Sequence, residues 1–260
     1  MASDRLSQSS LFRLDGQTAI VTGATSGLGE RFARVLHDAG AYVVVAGRRT
    51  DRLNALVDDL GSDRALAVAT DVADPDAVTA LVQAAVRRFG ALDVMVNNAG
   101  VSSPMPAEDE SALAFARVVA VNLNAVFSCC VAAARVMLAR NIGSIINVAS
   151  ILGLGASWRI PQASYAASKG GVVNLTRELG AQWAARGVRV NAIAPGWFPS
   201  EMTAELFDSE RGLRYVERNT PAGRPGRPDE LDGALLFLSS RASTYVIGQT
   251  IAVDGGWSVV

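Results

Sequence analysis

Thr18-Ala19-Ile20-Val21-Thr22-Gly23-Ala24-Thr25-Ser26-Gly27-Leu28-Gly29 is the stretch that decides the fold of this 260-residue chain. It opens as a short apolar run, Thr18–Val21, and reads as a buried strand. The following Glu30–Ala39 places Phe32, Val35 and Leu36 at helical spacing. Strand, glycine-rich turn and helix, in that order, form the setting of a dinucleotide-phosphate site. Glycines let the backbone approach a pyrophosphate, and the helix N-terminus offers free N–H groups and a partial positive charge. The spacing is G-x-x-x-G-x-G, not G-x-G-x-x-G. Gly23, Gly27 and Gly29 are read as the cradle, with Thr25, Ser26 and Leu28 beside them.

Outward from this stretch, apolar strands alternate with longer helical segments. Strands are expected at Thr18–Thr22, Tyr42–Ala46, Ala65–Ala69, Leu92–Val96, Gly143–Ala149, Arg189–Ala194 and Gln249–Val253. Helices are expected near Leu28–Ala39, Asp51–Leu60, Pro75–Phe89, Ser111–Ala139, Ala163–Ala185 and Asp229–Leu238. Unalternated apolar strands between helices imply a parallel sheet covered on both faces. Right-handed crossovers then make the class α/β: a Rossmann-type doubly wound parallel sheet of about seven strands, with helices on both faces. The expected organisation is a disordered leader over 1–13 and a single domain over 14–260. Trp197–Arg227 breaks the strand–helix rhythm after a strand's carboxyl end, where a substrate lid belongs.

Composition narrows the function. Half of the residues are hydrophobic, net charge is −1, and the charges are interspersed, so no basic stripe points to nucleic acid or an anionic membrane. Met1–Ser10 lacks the apolar core of a secretory signal, and no apolar run is expected to span a membrane. Cys129 and Cys130 are neighbours on a helix, point apart, and read as reduced packed thiols of a cytoplasmic protein. His37, the single histidine, reads as a solvated or helix-end residue. A single histidine argues against a Ser-His-Asp hydrolase and against a His-rich metal centre, and no metal site is expected.

Tyr165 and Lys169 are four residues apart and share one helix face, with Ser150 upstream at a strand end. An ammonium beside a phenol favours phenolate. A free tyrosine titrates near pH ~10, so work at neutral pH needs a fall of roughly 2–3 pH units, about 3–4 kcal/mol. Such a pair serves as general acid and base for a carbonyl–alcohol couple. Ser150 is read as the hydroxyl that bonds and polarises the substrate oxygen. Ser157 and Ser164 are other hydroxyls nearby, but Ser164 points about 100° away from Tyr165 on the helix.

These residues resemble the short-chain dehydrogenase/reductase family, in its branch of single-domain enzymes near this length. The resemblance runs from about Leu14 to Trp257 and takes in Asp71-Val72, Asn97-Asn98-Ala99-Gly100, Asn122, Ser150, Tyr165-x-x-x-Lys169, Asn191, Pro195-Gly196 and Asp254-Gly255-Gly256. It implies an NAD(P)-dependent oxidoreductase in which Tyr165 exchanges a proton with the substrate oxygen and Lys169 also bonds the nicotinamide ribose. It implies that Asn122 holds a water linking Lys169 to solvent, although a helix-kink role also suits an asparagine there. Asp71 and Val72 look like the adenine pair, and Asn98, Ala99 and Gly100 like the cofactor floor. Pro195, Gly196 and Phe198 then fall on the nicotinamide side. Ser200 stands where relatives place a carboxamide-binding threonine, and it equally suits an N-cap. Relatives that prefer NAD often carry aspartate at the Gly47 position; here Arg48 and Arg49 follow instead. Guanidinium forks suit a 2′-phosphate, so NADP(H) is expected over NAD(H) by roughly 10- to 100-fold, from ~1.5–3 kcal/mol. Solvated loop charges are the plainer reading of both arginines.

The spacing from Ser150 to Tyr165 is 15 residues, about two more than the family usually shows. The loop Gly153–Gln162 absorbs the excess and carries Trp158 and Arg159 toward the substrate. Trp158, Phe198 and Met202, with Ser150 and Tyr165, are the expected pocket for a small carbonyl or alcohol substrate. The resemblance also implies a homotetramer. Three readings of function stand: an NADP-dependent ketone reductase or alcohol dehydrogenase; a gluconate-type sugar dehydrogenase or 3-oxoacyl thioester reductase; and a catalytically silent dinucleotide-binding regulator. The last has no need of Ser150, Tyr165 and Lys169 together.

Overall fold

Unbroken apolar strands bury both faces of the sheet, and their alternation assigns each side chain to one layer. The computed structural model describes residues 10–157 and 159–260. Part of the expected leader and the expected pocket residue Trp158 therefore lie outside the described residues. The elements in order are β1 (Thr18–Thr22), α1 (Gly27–Asp38), β2 (Tyr42–Gly47), α2 (Thr50–Leu60), β3 (Ala65–Ala69), α3 (Pro75–Phe89) and β4 (Val94–Asn97). Then follow α4 (Ala112–Val119), α5 (Ala125–Leu138), β5 (Gly143–Val148), α6 (Ala163–Trp183), β6 (Val188–Pro195), α7 (Ala204–Phe207), α8 (Glu210–Asn219), α9 (Asp232–Ser239) and β7 (Thr250–Val253).

All strand pairs are parallel and the order is β3-β2-β1-β4-β5-β6-β7. Ile20, Val44, Met95 and Ile145 face one layer with the inner sides of α3, α5 and α6. Ala19, Val21, Val43, Val45, Val94 and Val96 face the other, against Phe32 and Leu36 of α1, Leu53 of α2 and Leu235 of α9. The order reverses between β1 and β4, and the crevice beyond their carboxyl ends is where such a sheet takes a ligand.

The departures from expectation have local causes. β4 begins at Val94, not Leu92, with Asp93 working as a brace ahead of it: its carboxylate accepts from Thr18 N and from Arg140 Nη1, each at 2.9 Å. The expected helix Ser111–Ala139 is continuous but carries a π-type turn at Ala120–Asn124. By length and composition, Ala112–Leu138 is long and apolar enough to cross a membrane, contrary to the expectation from the sequence. Its inner side, including Cys129, Cys130 and Met137, is buried in the sheet's core. Ahead of α9, Pro228–Leu231 forms a 3₁₀ turn, at whose start Glu230 accepts from the Arg227 amide at 2.8 Å. His37 ends α1 as expected but is buried rather than solvated. Both thiols are free, and burial pushes Cys129 up to about 12.

The turn after β1 packs where only glycine fits. Gly23 has φ +66°, and a Cβ there would lie 2.8 Å from the Ala99 Cα. A Cβ on Gly29 would lie 2.2 Å from the Gly23 carbonyl oxygen and 2.4 Å from Asn98 Nδ2. Gly29→Ala is expected to cost about 2 kcal/mol through overpacking. For a chain of this size that lowers the melting temperature by roughly 4–8 °C. Differential scanning calorimetry checks it, and an unchanged melting temperature contradicts the packing described.

Candidate active site

The glycine turn is tied to the end of β4 by side chains that the sequence places far away. Thr22 Oγ1 accepts from the amides of Asn98 and Ala99 at 3.1 and 3.2 Å. Asn98 Nδ2 donates back to the carbonyls of Thr22 and Gly23 at 3.0 and 3.2 Å. The Asn98 side chain therefore holds the turn itself, while Ala99 and Gly100 continue along the crevice floor. Ser26 begins α1 in extended conformation, and its hydroxyl makes no cap bond to the helix's first amides. A glycine cradle with a side-chain-uncapped helix N-terminus suits a pyrophosphate.

The floor leads directly to Asn122 and Lys169. A Cβ on Gly100 would meet Asn122 Oδ1 at 3.4 Å and Lys169 Nζ at 3.7 Å. Asn122, fully buried in the π-type turn, accepts from Val101 N at 2.8 Å and donates to Val101 O at 2.8 Å and Ser168 Oγ at 3.2 Å. It clamps this loop to α6. Lys169 is buried, and its Nζ donates to Val148 O at 2.7 Å, which ties α6 to β5. Ser150, buried just beyond β5, accepts from Leu152 N at 3.1 Å. The short turn after it packs flush on α6, since a Cβ on Gly153 would lie 2.6 Å from the Lys169 carbonyl oxygen. Ser150, Tyr165 and Lys169 are thus brought together.

Burial pushes the Lys169 ammonium down to about 8. The Tyr165 phenol is raised by burial, while the neighbouring Ser150 hydroxyl pulls it back. The expectation that Lys169 pulls Tyr165 downward is not met in this structure. Nζ is spent on Val148 O and stands 5.6 Å from the tyrosine ring centre. Tyr165 is accordingly protonated at neutral pH and suited to donate a proton.

The remaining expected residues fall around this centre. Asp71 is exposed and its Oδ1 accepts from Ala73 N at 3.0 Å, while Val72 is buried against the core. Arg48 is exposed. Arg49 instead folds over the glycine turn, donating to Thr25 Oγ1 at 2.7 and 3.0 Å and to Ser26 Oγ at 2.8 Å. Gly47 leaves room for this, because a Cβ there would lie 2.8 Å from Thr25 Cγ2. Gly196 backs onto Asp254, and Phe198 is buried against Gly226. Ser200 begins a short turn, its amide donating to Thr203 Oγ1 at 2.9 Å, and its Cβ lies 3.4 Å from where a Cβ on Gly27 would stand. Met202 is exposed. Beneath α8, Ile151, Leu152, Trp197 and Val216 form an apolar cluster with Tyr165 packed against it.

Two contributors escaped the sequence reading. Glu110 accepts from the Ser164 amide and hydroxyl, capping the start of α6 from 54 positions away. Glu201 reaches from the turn ahead of α7 to Arg49 and Arg52. Neither belongs to a local motif that announces it. A cavity of about 490 Å³ beside α8 is lined by Ser157, Tyr215, Arg218 and the C-terminal residues; Ser150, Tyr165 and Lys169 do not line it.

A doubly wound sheet with a glycine cradle leading to a buried Ser–Tyr–Lys group defines the class: a dinucleotide-dependent oxidoreductase. The family model described as enoyl-(acyl carrier protein) reductase matches residues 23–258. Gluconate 5-dehydrogenase of Gluconobacter oxydans (strain 621H) is 40% identical over 256 residues, covering 98% of this chain and 99% of that protein. Cis-4-hydroxycyclohexanecarboxylate dehydrogenase of Sinomonas cyclohexanicum is 43% identical over 248 residues, covering 94% and 97%. The crystal structure of a gluconate 5-dehydrogenase from Burkholderia cenocepacia J2315, in complex with NADP and tartrate, superposes with a TM-score of 0.92. It is 38% identical and covers 97% of this chain and 99% of its own. The chain belongs to the short-chain dehydrogenase/reductase family.

Lys169 makes a separable contribution to stability. Its value is about 8 in the folded chain against 10.5 for the free group, so the folded chain binds this proton more weakly. Its contribution is flat below pH about 8, rises as pH climbs to about 10.5, and is flat above. Relative to Lys169→Met, the native chain is expected to gain ~3 kcal/mol across that window. Urea unfolding of both proteins at pH 7.5 and 10.5 measures it; a constant difference between the two proteins contradicts a depressed Lys169.

Proposed function

We propose that this protein is an NADP(H)-dependent oxidoreductase that interconverts a ketone and a secondary alcohol of a small hydroxy acid or polyol. The observation that carries this is the convergence of Ser150, Tyr165 and Lys169 beside Gly100, at the end of the crevice that begins at the glycine turn. Gly23, Gly27 and Gly29, with Thr25, Ser26 and Leu28, hold the pyrophosphate. Asp71 and Val72 receive the adenine, Asn98, Ala99 and Gly100 form the floor, and Pro195, Gly196, Phe198 and Ser200 lie on the nicotinamide side. Arg48 and Arg49 take the 2′-phosphate, which favours NADP(H). The bound nicotinamide supplies or accepts the hydride.

The chain's own groups handle the proton. In reduction the Tyr165 hydroxyl donates its proton to the substrate oxygen as negative charge develops there. Ser150 donates a hydrogen bond to the same oxygen and polarises it. Lys169, whose Nζ stands 5.6 Å from the Tyr165 ring centre, bonds the nicotinamide ribose. Asn122 keeps the Val101 loop in place beside Lys169, and a water held at its turn returns the proton from solvent. In oxidation the steps reverse.

One observation supports the substrate class. The relatives' names specify gluconate and a hydroxycyclohexanecarboxylate, each pairing a hydroxyl with a carboxylate. The reading includes a cytoplasmic homotetramer. Reduced buried thiols suit the compartment, and exposed Leu113, Phe115 and Phe127 on α4 and α5 suit self-association.

Tyr165→Phe is expected to lower kcat/KM by ~10²–10⁴ while NADPH binding persists. The assay follows nicotinamide absorbance with gluconate, 4-hydroxycyclohexanecarboxylate and neutral secondary alcohols, and with the matching ketones. Turnover by native protein with none of these, despite NADPH binding, moves the assignment to a silent dinucleotide-binding regulator. Unchanged turnover in the variant removes Tyr165 from the chemistry.

A further inference from the structure

At the root of the lid one carboxylate sits on two guanidinium groups. Glu201 pairs with Arg49 at 2.9 Å and with Arg52, and it accepts from Ser26 Oγ at 2.9 Å. Its partners come from the glycine turn and the start of α2, about 150–175 positions earlier. Arg49 simultaneously bonds Thr25 and Ser26, so turn, arginines and lid root form one network. Ser200, the residue before Glu201, rests against Gly27. The lid root is thereby fastened over the turn that cradles a pyrophosphate in the reading above.

The chemistry of the contact is that of a phosphate site. Two arginine forks and a serine hydroxyl converge on an oxyanion, and a phosphate monoester presents the same negative oxygens to them. The bond from Arg52 and those from Ser26 and Arg49 hold the Glu201 carboxyl down to about 2, so it stays an anion under physiological conditions. The pairs are half-exposed, so each is individually weak and a dianionic phosphate displaces the carboxylate at modest cost.

We propose that Glu201 is an internal stand-in for the 2′-phosphate of NADP(H): it occupies Arg49 in its absence and yields Arg49 to it on binding. Release of the lid root is then coupled to the phosphate, not to the dinucleotide that NAD(H) and NADP(H) share. Glu201 becomes a specificity-determining residue that restrains NADP(H) affinity and leaves NAD(H) nearly untouched. This rests on the proposal that Arg49 faces the 2′-phosphate.

The test is a titration of native protein, E201Q, R49Q and the double variant with NADPH and NADH, read by energy transfer from protein tryptophan to the nicotinamide. E201Q is expected to bind NADPH about three- to tenfold more tightly. NADH affinity is expected to shift by less than about twofold, and the gain to shrink in high salt. In the R49Q background the E201Q effect is expected to vanish, as coupled neighbours require. Weaker or unchanged NADPH binding by E201Q overturns the proposal, and so does equal tightening for both dinucleotides, which marks a plain gate. Native protein binding neither dinucleotide fails the parent reading; native binding of NADPH with an inert E201Q fails this inference alone.

Discussion

Everything at this site depends on a close backbone approach at the carboxyl ends of β1 and β4. Gly23 and Gly29 pack against Asn98 and Ala99 with no space for a methyl group. The Thr22 hydroxyl and the Asn98 amide stitch the two strand ends together. This approach fixes where α1 begins and leaves its first amides without a side-chain cap. It also fixes the path of Gly100, which passes beside Asn122 and Lys169. The glycine turn and the Ser150–Tyr165–Lys169 group are thereby placed at two ends of one crevice.

The Ser150–Tyr165–Lys169 end of the crevice is held by polar groups that are buried or part-buried and find partners within the chain. Lys169 anchors to Val148 O, Asn122 spends its amide on Val101 and Ser168, and Glu110 caps α6 at Ser164. Burying an ammonium without a carboxylate partner is costly, and Lys169's depressed value expresses that cost. Tyr165 kept protonated beside Lys169 matches proton donation to a ketone.

Much of this was legible in the sequence, for a physical reason. Apolar strands such as Thr18–Thr22 and Tyr42–Ala46 are buried on both faces, so composition alone marks them within a residue of their ends. Glycines announce turns, and the Tyr165–Lys169 spacing announces a shared helix face. What stayed hidden depends on distant partners. β4 starts late behind the Asp93 brace between Thr18 and Arg140. Asn122 distorts its helix while serving a loop 21 positions away. Arg48 and Arg49 are adjacent and chemically alike in sequence, yet the fold turns only Arg49 over the glycine turn. The downward pull of Lys169 on Tyr165 was inferred from proximity, and burial of both groups opposes it.

The most direct test of the account is a side-by-side fluorescence titration of purified native protein with NADPH and NADH at one fixed salt concentration. The account predicts saturable binding of both, with NADPH at least about tenfold tighter. Equal or tighter binding of NADH contradicts the role given to Arg48 and Arg49. Binding of neither contradicts the central claim that the crevice between β1 and β4 receives a nicotinamide dinucleotide.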